Sequence, residues 1–272
     1  MTTERAIRFD PELLEELDRR SEATGEDVSR VVNAAVARFL HAADAHGDGR
    51  GPDRGRMPDL AACADAYRAA LLARDAPRAH AVIEEALAAG AEVLDVHVEV
   101  LAPAMTEIGH LWSLDQISIA QEHFATEVTA QLLGALAPDR RVPPTQGRLA
   151  IVSGTPAEQH VLGPRMVADL LQRAGWEVLA LGGDTPPDDL VELAEAECPD
   201  LVALSTSTAG RLPGVQETLG RLAALHPRPF LVAGGTLYTE AVAEAARGWG
   251  ADLVTSDLRR LLAVVRERFP PA

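Results

Sequence analysis

From residue 148 onward, five short apolar runs, RLAIVSG, WEVLALGG, DLVALSTS, RPFLVAGG and ADLVTSD, alternate with longer stretches of helical periodicity. Each run ends in a polar turn before the next helical stretch begins. Short apolar runs separated by helices are what a buried parallel sheet requires, because a crossover helix must return the chain before each new parallel strand can start. The pattern predicts a Rossmann-like, flavodoxin-type sheet of five parallel strands over 148–272, with ligands at the carboxyl ends of the strands. No shorter repeat is present beyond this alternation.

Two stretches break the apolar periodicity ahead of that region: HGDGRGPDRGRMP at 46–58 and PDRRVPPTQG at 138–147. Both mix helix breakers with solvated charge, as linkers between compact units do. They predict a multidomain α plus α/β chain with units 1–45, 59–137 and 148–272. The middle unit reads as helical throughout, in LAACADAYRAALLAR, RAHAVIEEALAAG, VLDVHVEVLAPAMTEIGHLW and ISIAQEHFATEVTAQLLGAL, and is expected to be a four-helix bundle.

Charge and residue usage narrow the chemistry. All 25 basic residues are arginine, so a lysine Schiff base or a phosphate-loop lysine is excluded. The net charge of -16 argues against nucleic-acid or anionic-membrane binding over the whole surface and leaves only a local DNA contact. Cys63 and Cys198 are too few for a disulfide framework or a Cys-rich zinc site. No apolar run approaches the length of a spanning helix and no targeting segment is evident, so a cytoplasmic protein with no membrane partner is expected.

In the first unit, RAIRFD alternates over a few residues and two amphipathic helices follow, PELLEELDRRSEATG and DVSRVVNAAVARFLH. One strand and two helices cannot close a core alone, but two copies can pair strands and interlock helices. The segment resembles the ribbon-helix-helix family of dimeric DNA-binding domains. That resemblance implies outward Arg8 as a base reader, beside Glu4 and Ala6, and Ser29 and Arg30 as phosphate contacts at the second helix. Residues 1–45 carry six arginines against ten acids, a balance of -4, with Glu26 and Asp27 opposing phosphate. Dimerisation without DNA contact is the alternative, since a DNA-binding unit ordinarily presents a basic face.

In the bundle, GHLWSLDQISIAQEHFAT places Trp112 nine residues ahead of the pair Glu122 and His123, with a helix expected over 117–133. Singly, a bundle Trp is ordinarily core and a helical His ordinarily surface. Together they resemble the signature of the cobalamin-binding bundle in CarH-type photoreceptors, light-dependent repressors that use vitamin B12 as chromophore. The resemblance implies that Trp112 packs over the upper face of the corrin, that Glu122 lies near the upper adenosyl group, and that His123 takes the upper cobalt position after light.

The first βα loop, GTPAEQHVLG, holds Glu158, His160 and Gly163 at the spacing of the cobalamin-binding signature Asp-x-His-x-x-Gly, with Glu in place of Asp. In that family the His replaces the cofactor's dimethylbenzimidazole as lower cobalt ligand, so His160 is the expected metal ligand and Glu158 the carboxylate that orients it. Ser205 matches the family's Ser-x-Leu element, while Ser207 stands where Leu is usual. Gly234 and Gly235 are expected to leave room for the nucleotide tail, and Gly182, Gly183 and Asp184 resemble the family's second-strand exit, with Asp188 and Asp189 expected to cap a helix. The remaining histidines, His97 among them, show no spacing that suggests a second metal site.

A cobalamin mutase would need a substrate barrel of roughly 250 residues, for which no chain is left. A corrinoid carrier for methyl transfer resembles 59–272 but needs no dimerisation strand. The expected function is therefore a non-enzymatic, adenosylcobalamin-dependent, light-sensing transcriptional regulator, in which photolysis of the cobalt-carbon bond switches oligomeric state or DNA binding. A DNA operator and a homodimer or higher homo-oligomer are its expected partners. The alternatives are a corrinoid carrier, for which methylcobalamin is the cofactor, and a cobalamin-sensing antirepressor acting through a protein partner. CarH-type proteins carry a MerR-type helix-turn-helix output, and here the ribbon-helix-helix-like segment occupies that place.

Overall fold

The computed structural model describes residues 58–138 and 144–270, together with Arg19. The expected ribbon-helix-helix segment, with Arg8, Ser29 and Arg30, lies outside the described residues.

Four helices form the first described layer. Helix α1, Leu60–Leu72, starts at Asp59, whose carboxylate accepts the Ala62 N–H at 3.1 Å. Helix α2, Ala76–Ala88, starts in the same way at Asp75, which accepts the Arg78 N–H at 2.9 Å. Helix α3 runs continuously through Val93–Asp95, a π-helical stretch Val96–Leu101, and Ala102–Ser113. Helix α4, Ile119–Leu136, opens with a capping box between Ser118 and Gln121. That box shifts the helix forward from the expected 117–133: Ser118 is extended, its hydroxyl accepts the Gln121 N–H, and the helix can begin only after it. Tyr67, Leu71, Ile83, Leu101 and Ile108 are fully buried in the bundle, and the Tyr67 hydroxyl meets Thr129 Oγ1 at 2.9 Å.

The second layer is a sheet of five parallel strands: β1 Leu149–Gly154, β2 Glu177–Gly182, β3 Leu201–Ser205, β4 Phe230–Gly234 and β5 Leu253–Val254. The crossovers are α5 Leu162–Arg173, α6 Pro187–Glu197, α7 Leu212–Ala223 and α8 Glu240–Gly248, and α9 Leu258–Arg268 follows the last strand. The strand order β2-β1-β3-β4-β5 is that of the flavodoxin type, so chain direction reverses across the sheet between β1 and β3. Side chains such as Ile151, Val202 and Leu231 are buried along the central strands, as crossover helices on both faces require.

Asp188 and Asp189 do not cap α6, contrary to expectation: Pro186 is the N-cap residue and both acids lie in the first turn, where Asp188 pairs with Arg221 at 2.7 Å. With Pro187 opening the helix, one amide that a cap would serve is already missing. Among the described residues no helix is long and apolar enough to cross a membrane.

Helix α5 joins the two layers. Met166 is buried in the bundle core, and Leu162 packs against it. On the other side of the same helix, Ala168 and Leu171 belong to the core beneath the sheet.

Candidate functional site

Parallel pairing places the carboxyl ends of the central strands in register: Gly154 faces Ser205 across the β1–β3 pair, and Ser205 faces Gly234 across the β3–β4 pair. The β1–α5, β3–α7 and β4–α8 loops therefore leave the sheet side by side at the topological switch, where ligands of such sheets bind.

His160 sits in the first of these loops with 63% of its side chain exposed. Its Nδ1 is hydrogen-bonded to Glu158 Oε1, and its backbone N–H donates to the same oxygen at 3.1 Å. Glu158, with only 1% of its side chain exposed, gives its second oxygen to the Ser207 N–H at 2.6 Å. Burial by itself raises the Glu158 pKa. The Ser207 N–H and then the His160 ring and N–H more than offset that, holding the carboxyl below its ordinary range. A buried, ionised carboxylate thus grips one ring nitrogen of an exposed imidazole and leaves Nε2 to ligate a metal. This donor set suits a borderline transition metal that needs one neutral nitrogen from the protein.

Ser207, which departs from the usual Leu, contributes through its backbone, a role that side-chain identity could not reveal. Ser205 approaches the first loop differently: a Cβ on Gly163 would lie 3.3 Å from Ser205 Oγ, so the glycine permits the close fit. Gly234 and Gly235 also serve close approach within the protein. A Cβ on Gly234 would come within 2.7 Å of the Thr255 carbonyl, and one on Gly235, at φ +115°, would overlap the Thr206 carbonyl. Six of the residues singled out in the sequence, Glu158, His160, Gly163, Ser205, Gly234 and Gly235, therefore converge on one rim.

The other three lie at the corner between α3 and α4. Trp112 is 45% exposed near the end of α3, and Leu114 and Ile119 beside it are likewise exposed. In the first turn of α4, Glu122 accepts the Thr126 hydroxyl at 2.7 Å and lies 3.7 Å from His123, whose side chain is 70% exposed. Neither His123 nor Trp112 is spent on the bundle core. Helix α4 packs on α5, the helix that follows the His160 loop, and Arg165 donates to the Ala130 carbonyl across that contact at 3.3 Å.

Two contacts were not foreseen from the sequence. One is an interlayer cluster of His97, Asp169 and Arg173, for which no local pattern exists. The other is Asp184, whose carboxylate accepts the Ala157 N–H at 2.6 Å; the glycine pair ahead of it marks the turn but not its partner. Among the described residues no group of three or more His, Cys, Asp and Glu side chains is placed to hold a metal ion.

Comparison with known proteins is consistent with this geometry. Residues 148–257 match a B12 binding domain family, and residues 63–137 match a second B12 binding domain family. The chain is 31% identical over 194 residues to the HTH-type transcriptional repressor CarH of Myxococcus xanthus, covering 71% of this chain and 64% of that protein. It thus spans just under two thirds of that relative's length. It is 29% identical over 173 residues to dimethylamine corrinoid protein 1 of Methanosarcina acetivorans, covering 61% of this chain and 79% of the relative. The fold is shared with the Methanosarcina barkeri monomethylamine corrinoid protein at a TM-score of 0.66 and 22% identity, over 76% of this chain and 98% of that one.

Proposed function

We propose that this chain, whose bundle and sheet each match a B12 binding domain family, is a non-enzymatic cobalamin-binding protein that senses light through the cofactor and regulates transcription. The observation that carries this reading is the corner of the bundle where Trp112 and His123 stand exposed and Glu122 lies part-buried beside His123, on an α4 that packs against α5, the helix following the His160 loop.

When bound, adenosylcobalamin would supply a cobalt-carbon bond that visible light breaks. His160 would hold the cobalt through Nε2, with Glu158 fixing its tautomer by accepting from Nδ1. Trp112 would pack over the bound corrin, Glu122 would lie near the adenosyl group, and His123 would be the second imidazole able to hold the cobalt after light. The rim that carries Gly163, Ser205, Gly234 and Gly235 would border the nucleotide tail, although the two adjacent glycines do not leave the room expected of them, since the Thr255 and Thr206 carbonyls fill the space a Cβ would take. A ligand bond that His123 could make in only one state would provide the differential free energy that a switch requires.

The output is read from residues 1–45, where a ribbon-helix-helix-like segment pairs two copies of this cytoplasmic chain and meets a DNA operator through Arg8, Ser29 and Arg30. The similarity to dimethylamine corrinoid protein 1 favours a second reading, a methyl carrier holding methylcobalamin and serving a methyltransferase partner. A visible spectrum of the protein reconstituted with adenosylcobalamin, before and after green light, separates the two. Rapid conversion to a stable bis-imidazole spectrum supports the sensor. Slow decay to ordinary aquocobalamin overturns it in favour of the carrier.

A further inference from the structure

The turn that carries His160 is held from outside by the β2–α6 loop. Asp184 Oδ1 accepts the Ala157 N–H at 2.6 Å, one residue before Glu158. Both residues are in the left-handed region, Ala157 at φ 62° and Asp184 at φ 51°. Aspartate tolerates that region, whereas an alanine adopts it only when its surroundings impose it. The fit around the bond is close: a Cβ on Gly183 would overlap the Glu158 carbonyl oxygen, and the Ser153 hydroxyl donates to Thr185 Oγ1 at 2.7 Å. The two loops therefore seat against each other on both sides of the Asp184–Ala157 bond.

We propose that Asp184 is a positioning residue for the cobalt ligand: by holding Ala157 left-handed it sets where the Glu158 carboxylate emerges and hence how His160 is presented. The chain of contacts is direct. Asp184 holds the amide of Ala157, the next residue is Glu158, and its Oε1 holds both the ring and the backbone N–H of His160. Glu158 has its other oxygen fixed by the Ser207 N–H and its own N–H bonded to the Thr155 carbonyl at 2.9 Å, so the turn at Ala157 sets the backbone from which an otherwise anchored carboxylate emerges. This inference rests on the reading of His160 as lower ligand.

The test uses the full-length protein loaded with cobalamin and reduced to the cob(II)alamin form. With the protein's histidines 15N-labelled and the cofactor unlabelled, the two-line nitrogen superhyperfine splitting in its electron paramagnetic resonance spectrum, distinct from the three-line splitting of the cofactor's own base, is the splitting that reports the fraction ligated by histidine, and titration reports cobalamin affinity. D184A should lower the ligated fraction and weaken affinity by roughly tenfold, the scale of losses when a group supporting a metal ligand is removed. D184N, which retains the acceptor oxygen, should match the unmodified protein. Adding A157G to D184A should recover at least part of the ligated fraction, because glycine adopts the left-handed conformation without outside help. If H160A abolishes the splitting while D184A leaves splitting and affinity unchanged, or if A157G fails to rescue D184A, the positioning role is overturned and the ligand assignment stands. If H160A keeps the splitting, the ligand assignment itself falls and the inference goes with it.

Discussion

His97 Nε2 lies 3.6 Å from Asp169 Oδ2 across the contact between the bundle and the sheet domain, and both side chains are almost wholly buried. His97 comes from the π-helical stretch of α3, where the i→i+5 bond pattern displaces side chains from their ordinary helical positions. Asp169 comes from α5 and takes a 2.9 Å bond from Arg173, which also donates to the Leu136 carbonyl at the end of α4. Neither ring nitrogen of His97, nor Asp169 Oδ1, has a hydrogen-bond partner among the described residues. An interlayer contact with unsatisfied polar atoms costs stability.

Burial, and then the Arg173 guanidinium, push the His97 pKa down from 6.5 to about 4. The unfolded chain takes up that proton near pH 6.5 while the folded protein resists it until about pH 4, so stability is full above that window and falls as pH drops through it. The slope is at most about 1.4 kcal/mol per pH unit. Asp169 acts in the opposite sense, since burial raises its pKa above 3.8 against the pull of Arg173, and its contribution offsets the acidic end of the window. Denaturant titrations at pH 7 and pH 5 should show the loss in the unmodified protein and a flatter response in H97L. Parallel losses in the two proteins would remove His97 as the source.

His160→Ala should give base-on or weakly held cobalamin. Glu158→Gln should keep the ligand but weaken cobalamin affinity by about 10- to 100-fold, as expected when a metal-binding imidazole loses its ionised partner. Absorption spectra and titrations of both variants provide the check, and an unchanged base-off spectrum and affinity in H160A would contradict the assignment.

His123→Ala should leave binding in darkness intact, because the side chain is largely exposed and holds no core contact together. After illumination, the variant should exchange with cyanide or added imidazole, whereas the unmodified protein should not. Equal inertness in the two would make His123 a surface residue with no part in the light state.

Gly235→Ala should destabilise the sheet domain by roughly 1–3 kcal/mol from backbone conformation alone, with further loss from overlap against the Thr206 carbonyl. Gly134→Ala, in an open position on α4, should stabilise by about 0.5–1 kcal/mol. Thermal melts of the two variants should therefore move in opposite directions.

Arg8→Ala should weaken binding to the promoter beside the protein's own gene by about 1–3 kcal/mol, without altering the dimer or the cobalamin spectrum. Titration in darkness and after illumination tests this. Failure of either state to prefer that promoter over random duplex would leave residues 1–45 as a dimerisation module.

The five apolar runs were enough to specify a parallel sheet, because burial on both faces and the need for a crossover helix are local properties written into every segment. The first bundle segment starts at the observed Leu60, whereas the second helix begins at Ala76, two residues ahead of RAHAVIEEALAAG, because Asp75 caps it, and α4 begins only after the Ser118 capping box. The rim residues Glu158, His160, Gly163, Ser205, Gly234 and Gly235 could be named from the cobalamin-binding signature they resemble, and the structure puts them at or just beyond the carboxyl ends of β1, β3 and β4. Tertiary structure decided how they act. Glu158 is fixed by Ser207, 49 positions away, and its turn by the bond from Asp184 to Ala157, 27 positions apart. His97 and Asp169 meet only because α5 is shared by two cores. Periodicity records which face of an element is buried, whereas contacts between loops and between layers depend on strand order and helix docking. Those are set by the packing of the whole chain, so no local pattern contains them.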